Sequence, residues 1–97
     1  MKVSTNAHCI EITVYKVKNA QTAEAARRAV RPHIEAYPGF LGWHAVTSAD
    51  DPSIFTDIVT WKSLEHAKSA GEKVMADPET QPFMAEVAEL ISMGHYL

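Results

Sequence analysis

The stretch FLGWHAVTSADDPSIFTDIVTW, residues 40–61, decides the fold. Two runs rich in β-branched and aromatic residues, 40–48 and 53–61, flank Ala49-Asp50-Asp51-Pro52, and so short a connection reads as an antiparallel hairpin. Pairing Ser48 with Ser53 sets His44 opposite Asp57, Phe40 opposite Trp61 and Trp43 opposite Ile58. A slip of one residue would put His44 opposite Ile58 instead and turn the whole strand over. Neighbours along a strand point to opposite faces, so Trp43 and His44 cannot line the same pocket.

Before the hairpin, HCIEITVYKV (8–17) alternates, with Ile10, Ile12 and Val14 on one side and Glu11, Thr13 and Tyr15 on the other, which predicts a first strand. Asn19 offers a cap for a helix over about 20–36, in which Ala23, Ala26, Val30 and Ile34 recur at helical spacing. Pro32 removes a backbone donor there and predicts a kink or break near residue 31. Tyr37-Pro38-Gly39 turns the chain into the hairpin. After it, Ser63 caps a second helix with a stripe of Leu64, Ala67, Ala70 or Gly71, and Val74, weakened locally by Gly71. Asp77-Pro78 opens a further helical segment in which Phe83, Val87 and Leu90 continue after Pro82, and the two segments are compatible with one bent element. The tail ISMGHYL (91–97) reads as a fourth strand.

The order β-α-β-β-α-β over a single domain, residues 1–97, predicts an α+β, ferredoxin-like fold with a four-stranded antiparallel sheet. Right-handed crossovers are expected to place strands one and three in the middle, parallel to each other, with two and four outside and helices on one face only. The uncovered face must still carry Ile, Val or aromatic residues, and a patch of that size calls for a partner. At 97 residues the core is small, so pairing with a second copy is the expected remedy.

Composition narrows the function. Hydrophobic residues at 46% and charged residues at 22% describe an ordinary globular chain. A net charge of −3 argues against nucleic acid as a partner, and Arg27, Arg28 and Arg31 read as a solvated helix face. Cys9 is the only cysteine, which excludes an intrachain disulfide or a multi-cysteine metal site and fits a reducing, cytoplasmic setting. Residues 1–17 show no apolar leader, and no segment approaches a membrane span.

Taken together, PGFLGWHAV (38–46), DDPSIFTDIVTWKSLEHAKSA (50–70) and DPETQPFMAEV (77–87) resemble the antibiotic-biosynthesis-monooxygenase-like domains of the dimeric α+β barrel superfamily, over roughly residues 8–97. The resemblance implies a homodimer whose two sheets pack into a barrel, helices outside, with a pocket between sheet and helices in each protomer. It also implies mixed chemistry: some relatives oxidise quinone-like or polyketide substrates without a cofactor, others degrade haem, and many have no established activity. The haem-degrading branch is similar around Trp61-Lys62-Ser63, but its site residues do not carry over, since its second-helix tryptophan would fall at Ala70 and its third-helix histidine near Val87. Ordinary members often carry a second-helix histidine nine residues after the strand-three tryptophan; that position is again Ala70, and His66 lies one turn earlier.

Near neutral pH the natural acid or base is histidine, and His8, His33, His44, His66 and His95 show no metal-ligand spacing. His44 is a candidate catalytic residue because Asp57, if opposite, would orient its ring and raise its basicity; a satisfied structural pair is the competing reading. His66 is a second candidate, at the edge of the helix-two stripe, against simple surface exposure. Glu11 and Asp57 sit mid-strand and need partners: solvent, a salt bridge across the dimer, or a polar cluster with His44 or His95. Phe40, Phe55, Trp61 and Phe83 could clasp a flat ligand or simply pack the core. Met75, Met84 and Met93 suit a pliable apolar wall. His95 and Tyr96 qualify only through their place on strand four.

Three functions compete. One is a cofactor-independent oxygenase, in which a base such as His44 or His66 deprotonates an aromatic or quinol substrate and the carbanion reacts directly with dioxygen. Another is a small-molecule-binding or stress-related dimer without turnover. The third is a structural dimerisation module, which requires side chains to fill the space between sheet and helices.

Overall fold

Alternation and capping build the elements much as the chain suggests, in a computed structural model that describes residues 8–97. Of the stretch 1–17 that bears on the expectation about an N-terminal leader, residues 1–7 lie outside the described residues. The order is β1 (Cys9–Val17), α1 (Ala20–Glu35), β2 (Phe40–Thr47), β3 (Ile54–Trp61), α2 (Leu64–Ala76), a 3-10 turn (Pro78–Thr80), α3 (Gln81–Met84) and β4 (Val87–Tyr96). The sheet runs β2-β3-β1-β4, with β1 and β3 central. They are antiparallel, not parallel as expected. The crossover through α1 makes β1 parallel to β2; β3 then reverses direction through the hairpin and inserts between them.

The side chain of Asn19 accepts the Thr22 N–H and that of Ser63 accepts the His66 N–H, so each long helix starts where its cap stands. α1 continues through Pro32 without the anticipated break. The proline forfeits one backbone bond, but Val30 and Ile34, buried on either side of it, keep the segment docked. α2 and α3 are separate elements, because Asp77 is extended (ψ 123°) ahead of Pro78. Asp77 also ties the ends of α1 and α2 together: it pairs with His33 and accepts the Tyr37 hydroxyl at 3.1 Å. The His33 bond and the Glu79 N–H hold its carboxyl below the usual range, while burial and Asp77 push Tyr37 up to about 12.

Val87 and Leu90 belong to β4, not to a third helix. Two irregularities in the β1–β4 ladder leave Ala88 and Ile91 without partners, so Val87, Leu90 and Met93 reach one face at intervals of three residues. That spacing imitates a helical stripe.

A further bulge sets the hairpin register. Phe40 pairs with Trp61 as expected, but Leu41 is skipped and Gly42 pairs with Thr60. From there on Trp43 faces Val59, His44 faces Ile58 and Ala45 faces Asp57. The expected His44–Asp57 and Trp43–Ile58 pairs are thereby corrected. The helix-facing side of the sheet carries Cys9, Tyr15, Trp43, Phe55, Val59 and Trp61, all buried. The other side carries Ile10, Ile12, Val14, Val46 and Ile58 with no layer of the described chain over it.

Gly39 joins α1 to β2 at φ 85°, and a Cβ there would stand 2.3 Å from the ring of His66. Gly39→Ala is expected to cost about 2–4 kcal/mol, combining left-handed backbone strain with a forced shift of the imidazole. An unchanged urea midpoint would contradict this.

Candidate functional site

α2 turns small residues toward the sheet, with Ala67 and Ala70 buried on its inner stripe. The helix therefore docks without filling the space beneath it, leaving a cavity of about 910 Å³ between sheet and helices. Trp43, Val59 and Trp61 form part of its sheet wall; Val74, Phe83 and Met84 lie across from them. Met75 and Met93 also border it, so all three methionines expected in a pliable wall are there.

Two polar clusters interrupt the apolar lining. In the first, the buried carboxylate of Asp57 accepts the Tyr15 hydroxyl at 2.7 Å, Arg27 Nη1 at 3.0 Å and Trp43 Nε1 at 3.1 Å. Burial pushes the Asp57 carboxyl up despite these donors, and burial together with Asp57 pushes the Tyr15 phenol up. In the second cluster, Glu11 and His95 are direct neighbours across β1 and β4, with His95 Nε2 2.9 Å from Glu11 Oε2. The other Glu11 oxygen accepts Trp61 Nε1 at 3.4 Å. Among the described residues, no three His, Cys, Asp or Glu side chains converge on a point that could hold a metal ion.

The residues singled out from sequence are thus divided. Asp57, Trp61 and Phe83 line the cavity. His44 is exposed on the opposite face of the sheet, so it can neither be oriented by Asp57 nor act as a base in this cavity. His66 is half-buried against the Gly39 turn, with Nδ1 2.7 Å from Ser63 Oγ, and is not part of the cavity wall. Phe40 stands behind Trp61, edge to face at 5.7 Å. Phe55 packs in the core against Tyr15 and under the Arg27 guanidinium, bordering a separate shallow groove near the start of α1.

One further participant, Arg27, was not apparent. Arg27 does not belong to a solvated helix face; it is 5% exposed and ion-paired to Asp57, while Arg28 is exposed and Arg31 covers Trp43. A signal was present, since Arg27 falls on the same helical stripe as Ala23, Val30 and Ile34. The polar cluster of Glu11 with His95, one of the arrangements expected for the mid-strand carboxylates, is present although the two lie 84 residues apart in sequence.

A family model for antibiotic biosynthesis monooxygenase matches residues 7–71. No curated protein matches the chain. Among solved structures, a Bordetella bronchiseptica protein named as a candidate antibiotic biosynthesis monooxygenase is similar at TM-score 0.81 and 18% identity, covering 93% of this chain and 95% of that one. SnoaB, a cofactor-independent oxygenase from Streptomyces nogalater, is similar at TM-score 0.78 and 13% identity, covering 93% and 91%. A conserved protein from Methanosarcina mazei gives TM-score 0.74 at 10% identity, covering 94% and 92%. At such identities the likeness is one of fold.

Proposed function

The chain belongs to the antibiotic biosynthesis monooxygenase family, and from that premise we propose that it takes a small aromatic or quinone-like molecule into the cavity and oxygenates it with dioxygen, without a cofactor. The observation that carries this reading is the cavity itself: room for a molecule of a few fused rings, aromatic and methionine walls, and few polar groups to fix orientation. SnoaB, a cofactor-independent oxygenase of similar fold, supports the same chemistry. In that chemistry a base removes a proton from an activated ring carbon or its hydroxyl tautomer, and the resulting anion gives up electrons to dioxygen as a carbon–oxygen bond forms. Loss of water from the hydroperoxide leaves a carbonyl, so one oxygen atom enters the product and the other leaves as water.

In this reading the chain is one cytoplasmic domain that works as a homodimer closed through the uncovered sheet face. That face supports the pairing, because β1 turns Ile10, Ile12 and Val14 outward while Glu11, Thr13 and Tyr15 face the helices.

Oxygen consumption with a panel of quinols and flavonols tests the reading against a variant that fills the space, Ala70→Phe. Substrate-dependent uptake is expected in the wild type and is expected to fall about tenfold or more in Ala70→Phe, a loss of roughly 1.4 kcal/mol of transition-state stabilisation. Saturable binding across the panel without uptake would favour a small-molecule-binding protein instead.

A further inference from the structure

A proton acceptor in this cavity must face the bound molecule, offer an unused lone pair, and gain rather than lose stability on becoming charged. Asp57 fails the last condition, since taking up a proton would neutralise the carboxylate that the buried Arg27 is paired with. Tyr15 spends its proton on Asp57. Lys68 and Glu72 border the cavity from exposed positions on α2. His95 differs: its ring lines the cavity, Nε2 is engaged by Glu11 at 2.9 Å, and Nδ1 has no partner among the described residues.

Resting on the pocket reading above, we propose that His95 is the catalytic base that accepts the proton of an aromatic hydroxyl bound in the cavity, and that Glu11 is the residue that positions it. A neutral His95 donating from Nε2 to Glu11 presents the lone pair of Nδ1 to the ligand. In the transfer the ligand O–H bond breaks and an N–H bond forms at Nδ1. The electron pair stays on oxygen and spreads into the ring. His95 becomes an imidazolium held against the Glu11 carboxylate, so the charge that develops is met by an opposite one already in place. Trp61 restrains that carboxylate through its indole N–H while forming part of the aromatic wall, which couples ligand contact to the orientation of the pair. The two residues come from adjacent strands, so their separation is fixed by the ladder rather than by a loop.

The probe is 1-naphthol, whose neutral and ionised forms absorb differently. Bound to the wild type it is expected to ionise about one unit or more below its pH of ionisation in solution, about a tenfold gain in the ionised fraction. His95→Gln is expected to bind it within about threefold of the wild type but to abolish the shift, and Glu11→Gln to give an intermediate shift. Nitrogen-15 NMR of the ring is expected to show the Nε2-protonated tautomer in the wild type and a mixture in Glu11→Gln. Unchanged ionisation of bound naphthol in His95→Gln, or a wild-type ring protonated at Nδ1, would overturn the proposal while leaving the pocket intact. Failure of naphthol to bind the wild type would overturn the pocket reading and this one with it.

Discussion

Replacing Arg27 by Ala is expected to destabilise the fold by about 3–5 kcal/mol, because it strands the Asp57 carboxylate inside the protein without its cationic partner. Arg27 and Asp57 are both buried, 3.0 Å apart, and the guanidinium also covers the Phe55 ring at 4.1 Å, so the substitution removes charge and packing together. The Tyr15 hydroxyl and Trp43 indole still donate to Asp57, which softens the loss without neutralising the charge. A pH signature separates the two contributions. Burial already raises the Asp57 carboxyl above its unfolded value, so its contribution to stability is full below the ordinary carboxylate range and is lost as pH rises through the folded value. Removing Arg27 raises that folded value further. The urea midpoint of the variant should therefore recover part of its deficit as pH falls through the raised folded value toward the ordinary carboxylate range, whereas a pure packing loss would be flat. A deficit under about 1 kcal/mol, or no recovery on acidification, would contradict the account.

Ile58→Lys is expected to weaken the proposed homodimer by about a thousandfold, equivalent to roughly 4 kcal/mol. Ile58 lies opposite both Ile12 and His44 in the ladders, at the middle of the uncovered face, where a second sheet would enclose an ammonium without a partner. In an isolated protomer the same lysine reaches water, so the fold itself should change little. Sedimentation or light scattering across a micromolar series checks both halves of the expectation. A monomeric wild type at the top of the series, or an unshifted dimer in the variant, would remove the barrel from the description.

What could be read from the chain depended on whether the controlling interaction was local. The caps at Asn19 and Ser63 and the alternation of β1 are local, and they placed the helices and strands. Which side of β1 faces the helices is not local. Ile10, Ile12 and Val14 look like a core stripe, yet the helices cover Glu11, Thr13 and Tyr15, and the polar groups of Glu11 and Tyr15 find partners on β3 and β4. Bulges defeated pattern reading twice: in β4 they produced an interval of three that resembles a helix, and in β2 they separated His44 from Asp57. The site suffered most. Arg27 looked like one of a solvated trio because it takes its place through Asp57, remote in sequence, whereas the need of mid-strand Glu11 for a partner did point to His95.

The bulge at Leu41 bears on how this chain is compared with others. One unpaired residue ahead of Trp43 decides whether tryptophan or histidine looks into the cavity, while the backbone on either side remains an ordinary strand. Two proteins with superimposable β2 strands but differing by one residue at this point would present opposite sets of side chains to the ligand. An alignment that places the compensating gap in the Ala49–Pro52 turn, where insertions usually fall, would then equate a cavity residue in one with a residue of the uncovered face in the other.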